Sequence, residues 1–163
     1  MKFLYYILLL FVATSCEVRY SMVDSSIDAD TFSVEIFEEQ AANAPAGYGI
    51  TFTEFLRDFI VSRTKLKLVK ENADIEISGK ISSYYTNPVS IQSDEVAAQN
   101  SLNVGMDISV INNIDEKQSF ERKFSQFLNY DSSLDLATVE DQLLEEINEQ
   151  LALKIVNQLS SNW

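Results

Sequence analysis

From Ala73 to Ser82 the chain alternates without a fault. Ala73, Ile75, Ile77, Gly79 and Ile81 fall on one side, and Asp74, Glu76, Ser78, Lys80 and Ser82 on the other. A period of two places alternate residues on opposite faces of a strand, whereas a helix would scatter those five small and apolar residues around its circumference. The pattern therefore demands a sheet with one buried face. Leu102, Val104, Met106, Ile108 and Val110 repeat it, and a shorter version runs from Thr31 to Glu38, with Phe32, Val34 and Ile36 opposite Ser33 and Glu35. Asn112-Asn113-Ile114-Asp115 is turn chemistry, because Asn and Asp tolerate left-handed backbone and bond to neighbouring backbone groups. The returning strand carries Phe120, Arg122 and Phe124, and its alternation breaks at Gln126-Phe127, which predicts a β-bulge there.

Two segments have the helical period instead. Phe52, Phe55, Leu56, Phe59 and Ile60 form one apolar stripe. Thr51 with Glu54 has the spacing of a capping box, and Ile50 with Phe55 occupies the staple positions around it. These aromatic residues read as core rather than as a ligand site. In the terminal segment Val139, Leu143, Ile147, Leu151, Ile155 and Leu159 share a face, with Leu144 beside them. Its start falls at Thr138 with Asp141 or one turn earlier at Asp135. Glu140, Asp141, Glu145, Glu146 and Glu149 crowd its first half, where the helix dipole favours negative charge. They read as a solvated face, since the oxygen-ligand spacing of a calcium loop is absent. The order β-α-β-β-β-α predicts an α+β domain, with two helices on one face of a four-stranded mixed sheet. Residues 39–49 and 87–100 are the longer connections, and the sequence shows neither an internal repeat nor a second domain.

The amino terminus is of another kind. Lys2 is followed by the apolar run Leu4 to Val12, far short of the roughly 20 residues a spanning helix needs. It has the length and flanks of a signal-peptide core. Ala13-Thr14-Ser15-Cys16 then resembles the lipobox of bacterial lipoproteins, with Ala13 where the pattern more often has Leu. That resemblance implies residues 1–15 as a signal peptide, cleavage before Cys16, and a diacylglycerol and an N-acyl group on Cys16. The alternatives are an ordinary secretory signal or an uncleaved anchor, with Cys16 incidental. Cys16 is the single cysteine, so it has no internal disulfide partner. Residues 16–30 read as a polar tether and 31–163 as the folded domain. Glu17 stands alone rather than in an acidic run, which favours the periplasmic face over surface display.

Cleavage would leave 148 residues, enough for one domain with a real core. With Lys2 gone, 11 basic residues stand against 25 acidic ones, a formal charge of −14. That argues against nucleic acid as partner, because phosphate backbones are bound by clustered Lys and Arg. The chain has no histidine and four glycines. It therefore lacks the usual general base, the imidazole-dependent triads, most zinc sites and a glycine-rich phosphate loop. The balance is that of a binder or adaptor without a cofactor or metal, and not of an enzyme. Catalysis by carboxylates alone has no motif around any pair to support it.

Several stretches together carry a further resemblance: FTEFLRDFIVSRTKLKLV (52–69), NPVSIQ followed by AAQNSL (87–102), FSQFLNYDSS (124–133), VEDQLLEEINEQL (139–151) and CEVRYSM (16–22). In this order and spacing the chain resembles the lipopolysaccharide-assembly lipoprotein LptE family, in its Bacteroidetes-type form. The resemblance implies two helices on a four-stranded sheet and a lipid-anchored place on the periplasmic face of the outer membrane. It also implies pairing with the LptD β-barrel as plug and assembly partner, and contact with lipopolysaccharide in transit. Phosphates of that lipid need cations. The candidates are Arg63, Lys65, Lys67 and Lys70 after the first helix, and Lys117, Arg122 and Lys123 on the last hairpin. Arg63, Lys65 and Lys67 would share a face if that segment is extended; the other reading is a solvated strand end. The polar stretch holding Asn87, Pro88, Gln92, Gln99 and Asn100 is the candidate barrel contact, being long for a hairpin connection. A general periplasmic lipid- or ligand-binding lipoprotein is the competing function.

Overall fold

The computed structural model describes residues 27–89 and 98–161. Cys16, Gln92, the signal segment and most of the tether lie outside the described residues. The elements are β1 (Thr31–Val34), β2 (Glu38–Glu39), α1 (Tyr48–Arg63), β3 (Lys67–Leu68), β4 (Ile75–Val89), β5 (Gln99–Asn112), a 3₁₀ turn (Glu116–Gln118), β6 (Phe120–Asp131) and α2 (Leu136–Ser161). The sheet order is β3-β1-β4-β5-β6, with β2 also beside β4. β1 and β2 run parallel to β4, whereas β4-β5 and β5-β6 are antiparallel. The sheet is thus mixed, with six strands rather than four; the two additions, β2 and β3, are two residues each.

Both helices lie on the sheet face that carries the alternating apolar residues. Phe32, Ile77, Ile81, Leu102, Met106 and Ile108 from the sheet meet Phe52, Leu56 and Ile60 from α1 and Ile147, Leu151 and Ile155 from α2, all buried. At about 25 cal/mol per Å² of apolar surface removed from water, this single layer is the main source of stability. The folded unit begins before Thr31, since Ile27 and Ala29 pack against the core. Asp74 ties that entry down by accepting from the backbone of Asp30 and Thr31 at 3.0 and 2.9 Å and from Thr31 Oγ1 at 2.8 Å.

The expected strand from Thr31 to Glu38 divides. Val34 pairs with Ile77 and Glu38 with Lys80, so four steps on this chain span three on β4. The extra residue reverses the phase: Ile36 is 61% exposed, and Phe37 turns inward instead. Its ring occupies the space above Gly79, where a Cβ would lie 2.6 Å from Phe37 Cε1, and meets Phe52 edge-on at 5.1 Å.

The capping box is not used. α1 starts at Tyr48, before Thr51, after Gly47 in the left-handed region (φ 82°) that glycine adopts at little cost. Glu39 of β2 accepts from Gly49 N at 3.0 Å, and Thr51 Oγ1 donates back to Gly47 O. A carboxylate from the preceding strand therefore does the capping, and Ile50 is half exposed rather than a staple. At α2 the earlier of the two starts holds, with Asp135 Oδ1 accepting from Ala137 N.

The β5-β6 register runs unbroken from Gln99–Asp131 to Val110–Phe120, so no bulge lies at Gln126-Phe127. The irregularity is in β4, between Ile81 and Ser83. Ile81 and Tyr84 both face the core; they are three apart, and period two accommodates that only with one extra residue. β4 then continues to Val89, which makes Asn87, Pro88, Gln99 and Asn100 strand residues rather than loop. Val89 pairs with Gln99, and Pro88 with Asn100. Pro88 is tolerated because the odd residues of β5 turn their backbone groups toward β4, leaving Pro88's missing N–H on the open side of the strand.

Candidate functional site

The two sets of residues singled out from sequence fare differently. Asn87, Pro88, Gln99 and Asn100 converge on one end of the β4-β5 hairpin, on directly paired strands. From Tyr85 to Pro88 every residue of β4 is exposed, whereas their β5 partners Ser101 and Leu102 are buried. Asn87, Pro88, Gln99 and Asn100 present amides and a proline ring; Asp131 of β6 is the strand partner of Gln99, and the connection between the strands holds Asp94 and Glu95 in sequence.

The cations are not gathered. Arg63 is the last residue of α1, not part of an extended segment, so it does not share a strand face with Lys65 and Lys67. Its guanidinium lies 5.1 Å from the centroid of the Phe59 ring and 3.9 Å from Glu149 of α2. Lys65 lines a hollow of about 340 Å³ with Asp28, Asp30 and Thr64. Lys67 sits in the edge strand β3, its backbone N–H bonded to Asp30 O. Arg122 points to the helix side of β6 and donates to Gln158 of α2. Lys123, the next residue, points to the opposite sheet face, 3.6 Å from Asp107, which Lys80 also approaches at 4.0 Å. The five therefore occupy the end of α1, the β3 edge and both faces of β6, several beside carboxylates that offset their charge. A hollow of about 530 Å³ on the sheet face away from the helices takes in Lys80, Lys123 and Asp107, but also Glu35, Glu38 and Glu121.

The titratable groups inside the fold are structural. Tyr48 Oη donates to Asn148 Oδ1 at 2.6 Å, joining α1 to α2, and burial pushes its pKa above the ordinary tyrosine value. Tyr84 donates to Glu140; burial first, then that bond, raises its pKa as well. Both stay neutral phenols at neutral pH. Hydrogen bonds from Thr31 Oγ1 and the Asp30 and Thr31 amides hold Asp74 below the usual carboxylate range. Among the described residues no three His, Cys, Asp or Glu side chains are grouped to hold a metal ion, and no helix is long and apolar enough to cross a membrane.

Two exposed rings escaped the sequence reading. Tyr85 and Phe127 are 51% and 56% exposed on the sheet face away from the helices. The irregular alternation at Gln126-Phe127 is the signal for Phe127: the strand stays in phase, with that ring simply facing out.

These features define a two-layer α+β domain, with two helices on one face of a mixed sheet and, among the described residues, no element on the other. The family profile described as LptE, lipopolysaccharide-assembly, matches residues 29–159, and the chain belongs to that family. It is a family of assembly proteins rather than of enzymes. The same fold occurs in a minor lipoprotein from Acinetobacter baumannii, at 15% identity and TM-score 0.53, covering 82% of this chain and 94% of that one. An uncharacterized lipoprotein B from Nitrosomonas europaea is similar at 14% identity and TM-score 0.53, covering 89% and 90%. A Xanthomonas campestris protein is similar at 10% identity and TM-score 0.60, covering 84% and 87%. No curated protein sequence matches the chain.

Proposed function

We propose that this protein is the lipid-anchored partner of an LptD-type outer-membrane β-barrel. In this reading it plugs the barrel, supports its assembly, and serves the export of lipopolysaccharide to the cell surface. The family match over residues 29–159 carries the reading. Cys16 receives the diacylglycerol and N-acyl group and holds the domain on the periplasmic face; several acyl chains, at about 0.8 kcal/mol per buried CH₂, anchor far more firmly than one.

The hairpin end at Asn87, Pro88, Gln99 and Asn100 is the surface proposed to meet the barrel. Its paired strands fix its shape before binding, so little ordering is required on association. The four residues themselves are uncharged, so none of their side chains brings an ion to be desolvated there. Arg63, Lys65, Lys67, Arg122 and Lys123 are separate points for lipopolysaccharide phosphates rather than one binding cluster. Barrel pairing is therefore the primary role, and lipid contact follows from position.

The test is affinity purification of the full-length protein in mild detergent. One large outer-membrane β-barrel is expected with it in equal amount. Recovery of the protein alone would refute the proposal.

A further inference from the structure

The sheet face away from the helices contains a patch unlike the rest of this surface. Across β4, β5 and β6 three successive rows face outward: Ser83–Gly105–Ser125, Tyr85–Asn103–Phe127 and Asn87–Ser101–Asn129. None of these positions carries a charge, in a chain with 12 basic and 25 acidic residues. Charge resumes on either side, at Lys80–Asp107–Lys123 and at Asp131. Ser101 (4% exposed) and Gly105 are buried as the floor of the patch, and what it presents are the hydroxyls of Ser83 and Ser125, the amides of Asn87, Asn103 and Asn129, and two half-exposed rings. Asn103 stands between the rings and donates through Nδ2 to Asn87 Oδ1 at 2.7 Å and to Ser101 O at 3.2 Å. Its amide is thereby fixed in orientation before any ligand arrives.

We infer that this patch binds a neutral saccharide chain. No side chain of the three rows is an ion; the cation that reaches them, Lys154, is at the β6 edge and is taken up by Ser125 O and Gln126 Oε1 at 2.6 and 2.7 Å. A purely apolar partner would cover Asn and Ser groups without giving them partners, which is costly. A sugar matches both components. The C–H face of a pyranose packs on an aromatic face, and its hydroxyls both donate to and accept from side-chain amides and hydroxyls. Tyr85 and Phe127 lie two strands apart, on the order of 10 Å at the usual strand spacing. Two sugar units of one chain can thus rest on the two rings, with the Asn103 amide reaching the segment between them. Gly105 keeps the floor beside them low, since a Cβ there would lie 2.4 Å from Ser83 Oγ. The inference shares only Asn87 with the surface proposed to meet the barrel and rests on the chemistry of the sheet face beyond it.

The test uses the full chain in mild detergent against a panel of immobilised neutral oligosaccharides: glucose, galactose, mannose, rhamnose and N-acetylglucosamine tetramers. At least one should bind, with affinity unchanged between low and high salt. Tyr85→Ala and Phe127→Leu should each weaken it on the order of tenfold. Phe127→Tyr, which keeps the ring, should bind as the parent does. Ile111→Ala, exposed on the same face outside the patch, should also leave binding unchanged. Unaltered melting temperatures in these variants would exclude misfolding as the cause. Absence of binding to the whole panel would overturn the inference. So would a Phe127→Leu variant that binds normally, or patch variants that lose a copurifying barrel while retaining saccharide binding.

Discussion

Replacing Tyr48 by Phe deletes one oxygen and leaves the ring in place against Phe52 and Tyr84, at centroid distances of 6.5 and 6.2 Å. The oxygen removed is the donor to Asn148 Oδ1, and both residues are buried, at 3% and 5% exposure. Asn148 cannot turn its carbonyl to water without leaving the helix interface. The cost is therefore that of a buried acceptor stripped of its donor, about 1–3 kcal/mol, rather than that of an average hydrogen bond. For a domain near this size each kcal/mol lowers the melting temperature by about 2–4 °C, so a fall of about 4–8 °C is expected at the middle of that range. The double variant Tyr48→Phe/Asn148→Leu removes both polar groups and should recover much of the loss. Thermal and urea unfolding of the four proteins, followed by circular dichroism, gives the coupling energy directly. Alkaline pH supplies an independent check. Burial raises the Tyr48 pKa in the folded state, so the stabilisation is complete below the unfolded tyrosine value near 10 and declines as pH rises above it. Tyr48→Phe should flatten that decline. A Tyr48→Phe protein as stable as the parent, or a double variant no better than the sum of the singles, would refute the reasoning.

Three further outcomes follow from other parts of the molecule. Gly79→Ala should destabilise by about 1–3 kcal/mol through overpacking against Phe37, and Phe37→Leu in the same chain should relieve part of it; urea midpoints measure both. Asp74 is held below the usual carboxylate range, so its contribution is full above the unfolded value near 3.9 and is lost as pH falls through the folded one. Asp74→Asn should abolish that acid-side loss, as read from unfolding midpoints across pH 2–6. Cys16→Ala should leave the protein soluble or unprocessed on fractionation, and a variant that still partitions with membrane as the parent does would contradict the lipid anchor.

The sheet's buried face was legible because Ile75, Ile77, Ile81 and the even residues from Leu102 to Val110 keep period two across a long antiparallel ladder. The helices were legible from Phe52 to Ile60 and from Leu143 to Leu159 for the corresponding reason at period 3.6. What stayed hidden depended on distant partners. Glu39 caps α1 from another strand, so the local Thr51–Glu54 spacing suggested a cap the chain does not use. Phe37 displaces Ile36 from the core because Gly79, over forty residues away, leaves room for its ring. The bulge is written in the three-residue spacing of Ile81 and Tyr84, whereas Gln126-Phe127 imitates one because an apolar ring there faces outward. At the candidate site, the hairpin residues Asn87, Pro88, Gln99 and Asn100 were legible as a group because sequence neighbours on paired strands stay together. The cations were not, since alternation sends Arg122 and Lys123 to opposite faces and the end of α1 separates Arg63 from Lys67.

Barrel pairing is tested most directly by stoichiometry. The full-length protein, captured in mild detergent and resolved by size, should migrate with one β-barrel outer-membrane protein at a ratio of one to one. Substitution at the hairpin end by charge, as in Asn87→Asp with Asn100→Asp, should reduce that ratio while the melting temperature of the isolated protein holds. Capture of a free protein with no barrel attached would contradict the account.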